Sequence, residues 1–222
     1  MNNVSKTLLC GVFLFSSTAG LSTNVAYAET ALQSDIKETI KHKIVGLNGF
    51  SWYYGFDIEL KKQVILLNVA INLIPAPGVS RVELSQTKSI WKKAIENTWS
   101  NQYAIKTNTG AIYPILITVS FRALSFHHSV IVRPGKGSSD ELNWNVRDSQ
   151  QTVAHEFGHM LGAFDEYLHG ANDPANPIID SSSIMSSLPK SGKIYARHFH
   201  KIQAWFLTKT AEEVVQLIAL KQ

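Results

Sequence analysis

Residues 152–167 read "TVAHEFGHMLGAFDEY". His155 and His159 are four apart, so on a helix they stand one turn from each other on the same face. Two imidazoles at that spacing can reach one zinc ion at about 2.0–2.1 Å. Glu156 is one position on, rotated by about 100°. From there it approaches a water on the metal more easily than the metal itself, the H-E-x-x-H arrangement of a zinc hydrolase. Two ligands from one helix leave the site incomplete. Gly162 can take the left-handed conformation that stops a helix. The chain then turns and brings Asp165 back as a third ligand. Glu166 and His169 are rivals for that position.

The rest of the chain sets the context. It has 222 residues, 45% hydrophobic and 17% charged, which suits one globular domain with a sizeable core. Lys6, the apolar run from Leu8 to Phe15, and "AYA" at 26–28 have the plan of a secretory signal peptide. The apolar run is too short to span a bilayer, and Cys10 lies too early within it for lipid attachment. Residues 29–222 then form the exported domain, secreted or periplasmic. Losing Lys6 takes the net charge from +4 to +3. Cys10 is the only cysteine, so the exported chain has no disulfide, thiolate nucleophile or cysteine metal ligand. No run of Lys or Arg resembles a nucleic-acid stripe, and "KHK" at 41–43 is too short to count.

Coarse elements follow from pattern. "ETALQSDIKETIKHK" (29–43) reads as a short helix or a loose leader. Residues 29–60 could hold a propeptide-like segment or an N-terminal element that packs the aromatics of "SWYYGFDIEL" on the core. Residues 63–74 read as a buried strand. A helix is expected over 85–102, capped by Ser85, with Ile90, Trp91, Ile95 and Trp99 on one stripe. Strands are expected at 112–121, 128–133 and 142–146, and the motif helix over about 149–161. "GANDPANPIIDSSS" is loop chemistry. "ARHFHKIQAWFL" and "TAEEVVQLIAL" both read as helical. The sum is an α+β domain.

"HEFGHMLGAFD" resembles the extended zinc motif of the metzincin metallopeptidases, H-E-x-x-H-x-x-G-x-x-H. Asp165 stands in place of the last histidine, as in snapalysin-like metzincins. The resemblance implies a zincin fold: a twisted, mostly parallel sheet, two long helices, and an irregular C-terminal part ending in a helix. It implies Met185, in "SIMSS", as the methionine turn below the metal. It implies Zn²⁺ on His155, His159 and Asp165, with Glu156 as general base for peptide-bond hydrolysis. Its partner would be a protein or peptide substrate, extended along an edge strand within 127–146. "HEFGHMLG" followed by "DEY" is also similar to metzincin-type domains of bacterial secreted toxins and effectors. A zinc-dependent cell-wall amidase and a non-catalytic zinc-binding domain are the competing readings.

Other polar residues are read more plainly. His198 and His200 suit surface or supporting roles. His127 and His128 suit a structural one. Tyr167 and Tyr195 could reach an oxyanion, but neither directly follows Met185, so that family role is not carried over. The oxygens of "ANDPANPIID" could hold calcium, although a loop rimming the cleft is the simpler reading.

Overall fold

The apolar run "VILLNVAINLIP" forms the strand on which the sheet is built. In this computed structural model, which describes residues 35–187, 192–210, 212 and 215–220, the order is β1 (Ile36–Val45), β2 (Ser51–Lys61), β3 (Val64–Pro75), α1 (Arg81–Trp99), β4 (Tyr103–Thr107), β5 (Ile112–Phe121), β6 (His128–Arg133), β7 (Asn143–Asn145), α2 (Gln150–Leu161), a 3-10 turn (Ala196–Phe199), α3 (His200–Thr210) and β8 (Val215–Ala219). Residues 1–28, with Lys6 and Cys10, lie outside the described residues. No helix among the described residues is long and apolar enough to cross a membrane.

The fold is α+β, with a mixed sheet and, among the described residues, three α-helices. β3 is parallel to β5 along Ile65–Ile71 and parallel to β6 along Ile71–Pro75. β6 is parallel to β7. The β1–β2, β2–β3, β4–β5 and β4–β8 pairs are all antiparallel. The sheet is therefore mixed and not mostly parallel. Short connections account for β1–β2, β2–β3 and β4–β5, since neighbours joined by a few residues pair antiparallel, whereas β8 reaches the β4 edge from far along the chain.

Three local expectations change. Residues 36–45 are a strand. Ile36, Ile40 and Ile44 are spaced by four, an even number, so the same residues line one face of a helix or one face of a strand. Pairing with β2 from Ile36↔Leu60 to Val45↔Ser51 decides it. Residues 215–219 are also a strand and not the expected helix, because the edge of β4 takes up "VQLIA". β4 itself was too short to read beside the preceding helix. Finally, α1 starts earlier: Ser80, not Ser85, caps it and accepts from the Glu83 N–H at 3.1 Å. Its buried stripe is Leu84, Trp91, Ile95 and Trp99, while Ile90 faces outward.

Two tryptophans on α1 hold the elements that frame the site. Trp99 is fully buried, and its Nε1 donates to the Ala154 carbonyl of α2 at 2.8 Å. Trp91 meets Trp144 of β7 edge-on, with centroids 5.1 Å apart. His127 and His128 are spent on the scaffold. His127 Nδ1 accepts from Ala70 N at 2.8 Å while Nε2 faces Asp57 at 3.2 Å. His128 Nε2 donates to Gly55 O, and burial holds its pKa down to about 4.

The N-terminal hairpin supplies Trp52, Tyr54, Phe56, Ile58 and Leu60 to the core. At about 1.5–3 kcal/mol per buried side chain, their loss amounts to roughly 10 kcal/mol, comparable with the whole stability of a domain at about 5–15 kcal/mol. A chain starting at residue 61 is expected to lose cooperative thermal unfolding and near-UV dichroism, relative to one starting at residue 29. A cooperative melt in the shorter chain would show the hairpin to be detachable.

Candidate metal centre

α2 is capped by Ser149, whose Oγ accepts from Thr152 N at 3.0 Å. It ends at Gly162, whose φ of 93° lies in the left-handed region. A side chain there would be strained, and an added Cβ would also meet Lys201 at 3.1 Å and Tyr54 at 3.2 Å. Within α2, Gly158 leaves room for Met185, whose sulfur would overlap a Cβ at that position, and for Trp99 at 2.9 Å. Met185 is fully buried under the helix.

Both histidines are oriented through their other ring nitrogen. His155 Nδ1 lies 2.9 Å from Ile184 O, and His159 Nδ1 lies 3.0 Å from Ala163 O. A carbonyl can only accept, so each Nδ1 carries the proton, and each ring in its neutral form presents a lone pair at Nε2. Asp165 Oδ1 lies 3.3 Å from both of these Nε2 atoms. Its other oxygen accepts from Ala171 N at 2.7 Å. Oδ1 is buried and, in that tautomer, has no donor. Three lone-pair atoms thus converge. Ligands held at about 2.0–2.1 Å in a tetrahedron stand about 3.3 Å apart, so the donor set suits a small cation. Glu156 adds a fourth acceptor: one of its oxygens lies within 4.8 Å of both ring nitrogens. The buried His155–Glu156–His159 cluster could therefore hold a metal ion.

The same convergence acts on protons. Burial disfavours a charge on His159, yet Asp165 and then Glu156 outweigh it and push its pKa up to about 9. Burial opposes the Asp165 carboxylate too, but His155, His159 and the Ala171 amide hold it far below the usual range. A proton and a metal ion compete for one negative pocket. Burial pushes Glu156 up.

The neighbours divide. Glu166 turns away from the cluster, to Arg197 Nε at 2.6 Å and Nη2 at 2.7 Å and to His198 Nε2 at 3.1 Å. Asp180 takes Arg197 as well, at 2.9 Å, and the hydroxyl of Ser182 at 2.6 Å. His200 is exposed. Tyr195 bonds Ser182 at 2.6 Å, behind the site. His169 is in the left-handed region, with φ 67°, and lines the cleft.

Tyr167 is the residue that sequence reading set aside. It lines the cavities on both sides of the cluster. Burial, then the Asp165 carboxylate, pushes its phenol well above the ordinary range, so it stays protonated. The signal was available: in locally extended chain, residues two apart share a side, and Tyr167 is two beyond Asp165.

One cavity of about 400 Å³ lies toward Ser186 and Ser187, and another of about 210 Å³ toward Asn48, Phe50 and Trp52 of the hairpin. Ser139, His155, Glu156 and Tyr167 line both, making two halves of one groove with the cluster at its waist. Trp52 shields the inner side, its Nε1 donating to His159 O at 3.0 Å and its ring edge-on to the imidazole at 5.3 Å.

Asp165→Ala removes the only carboxylate oxygen 3.3 Å from both Nε2 atoms. If the cluster holds a metal ion, this substitution is expected to weaken its binding about 100-fold or more in chelator competition, whereas Glu166→Ala leaves affinity within about tenfold. Glu166 carries a different effect. Burial opposes its charge, but Arg197, His198 and Ser183 hold its pKa down to about 2, against an ordinary 4.5. Its contribution is present above about pH 4.5 and is lost as pH falls through about 2, roughly 3 kcal/mol in all. Glu166→Gln is expected to flatten the acid limb of the stability curve in that window, measured by denaturant unfolding from pH 6 to pH 2. No family model matches the chain, and neither the curated proteins nor the solved structures hold a match to it.

Proposed function

We propose that the protein is an exported zinc metallopeptidase of metzincin type, cleaving peptide bonds in extended substrates. The observation that carries this reading is the stranded Asp165 Oδ1, 3.3 Å from two Nε2 lone pairs. Such a set is unfavourable unless a metal ion or a proton sits among the three atoms. Nitrogen and oxygen donors of this kind suit zinc. His155, His159 and Asp165 would hold the ion. When bound, zinc supplies Lewis acidity toward a water and a substrate carbonyl.

The chain's own groups supply the rest. Glu156 takes a proton from the attacking water and passes it to the leaving amine. Burial raises its pKa, which moves a carboxylate toward the range useful to a base near neutrality. Tyr167, kept protonated, can donate to an oxygen that gains negative charge. The Ile184 carbonyl fixes His155 from below, and the neighbouring Met185 packs against Gly158 of the same helix. β7 pairs only with β6 among the described strands, and Asp140 and Glu141 just before it line the groove. An extended peptide could therefore add to that edge.

Glu156→Gln tests the reading. The amide is nearly isosteric, so fold and zinc content are expected to persist while peptide hydrolysis falls by about 10²–10⁴. Zinc stoichiometry measured beside casein and peptidoglycan digestion decides among the competitors. Peptidoglycan cleavage alone would make the protein a cell-wall amidase. Stoichiometric zinc with no turnover of either substrate would make it a binding domain.

A further inference from the structure

Glu141 is a buried acid that the proposed chemistry does not use. It is 6% exposed, and it lines the hairpin-side cavity together with His155, Glu156, His159 and Asp165. The other acids nearby are committed to protein partners. Asp140 accepts from Leu142 N at 2.8 Å and from Asn143 Nδ2 at 2.8 and 3.1 Å. Asp148 accepts from Asn145 N and from Ser139 Oγ, both at 2.6 Å. Glu166 and Asp180 hold Arg197. Among the described residues, the Glu141 carboxylate has its own backbone amide as a hydrogen-bond partner and a favourable charge from His159 across the cavity.

We propose that Glu141 binds a cationic nitrogen of the substrate, a lysine side chain or a free α-amine, in the hairpin-side half of the groove. This assignment rests on the peptidase reading for the nature of its ligand. A carboxylate largely withdrawn from water with one amide as its hydrogen-bond partner is poorly compensated, and an arriving cation offsets that cost. Among the described residues no lysine or arginine is paired with it, and the Nε2 of His159 faces Asp165 instead, whereas the groove is open to a ligand. The walls suit such a group. Phe50, 49% exposed, stacks against Trp52 with centroids 6.2 Å apart, offering aromatic surface to an alkyl stem and its charge. The far end is closed: Leu47 N donates to Asn172 O at 2.8 Å, and Asn48 Nδ2 to His169 O at 3.4 Å, tying the hairpin turn to the loop after Asp165. At about 210 Å³ the space suits one side chain or chain terminus and not a long extended segment.

The experiment measures binding without turnover. The zinc-loaded Glu156→Gln protein is titrated with the tetrapeptide amides Ala-Lys-Ala-Ala and Ala-norleucine-Ala-Ala, each with a free and an acetylated N-terminus. The same titrations are run with Glu141→Gln or Asp140→Asn added. The expected result is that a cationic peptide binds about 10- to 100-fold more tightly than its neutral counterpart. That preference should vanish with Glu141→Gln and persist with Asp140→Asn. Preference for lysine over norleucine identifies the side chain as the source; preference for the free over the acetylated terminus identifies the α-amine. Equal affinity for all four peptides, or no binding of any, overturns the proposal. So does a loss of preference as large with Asp140→Asn as with Glu141→Gln, which would mean a diffuse acidic field. Failure of the peptidase reading is read separately, as binding of these peptides with no cleavage by protein that retains Glu156.

Discussion

Three lone pairs facing one point, on His155 Nε2, His159 Nε2 and Asp165 Oδ1, form the constraint around which the second half of the chain is arranged. Each is locked by a bond on its far side: two backbone carbonyls take the Nδ1 protons and one amide takes Asp165 Oδ2. None of the three can rotate to satisfy itself without breaking the bond that orients it. The convergence is therefore stored in the protein, and a cation or protons must relieve it. The carbonyls come from two places, Ala163 just past the helix and Ile184 in the methionine loop. The site thus joins three separate stretches of chain.

Those stretches are held by different forces. α2 is anchored through Trp99 and through the room that Gly158 leaves for Met185. The methionine loop is anchored by backbone bonds, Glu166 N to Met185 O at 2.8 Å and Ile184 N to Lys193 O at 2.9 Å. The hairpin reaches the site from the opposite end of the chain, where Trp52 covers His159. Water exclusion on that side comes from aromatic packing, and loop position on the other comes from backbone hydrogen bonds. That division lets the groove stay open across its middle while its ends are fixed.

Much of this was legible in sequence because it rests on local spacing. The i,i+4 histidines, the glycine stop and the helix span need only the helical repeat, and the strands at 64–75, 112–121 and 128–133 need only apolar runs. What failed depended on partners far away in the chain. Ile36, Ile40 and Ile44 fit either repeat until β2 is beside them. "VQLIA" reads as helix until the β4 edge is there to receive it. Glu141 carried no signal at all, since the acidic pair Asp140–Glu141 before a short strand looks like solvated loop residues. Its burial depends on a hairpin some ninety residues earlier, which local pattern cannot supply.

The triplet Asp165–Glu166–Tyr167 shows how one local rule can sort residues with similar chemistry into opposite roles. Just past Gly162 the backbone is non-helical, and its amides bond alternately, Asp165 N to Ala171 O and Glu166 N to Met185 O. Side chains alternate with them. Asp165 faces inward to two imidazoles, Glu166 outward to a guanidinium, and Tyr167 inward again to the groove. Two adjacent carboxylates in one apolar pocket would repel and would each need a counter-charge. Pointing them to opposite sides gives each its own: histidines for one, Arg197 for the other. The ion pair of Glu166 then keeps that stretch of backbone from rotating, so the charge turned away from the site helps to aim the charge turned toward it.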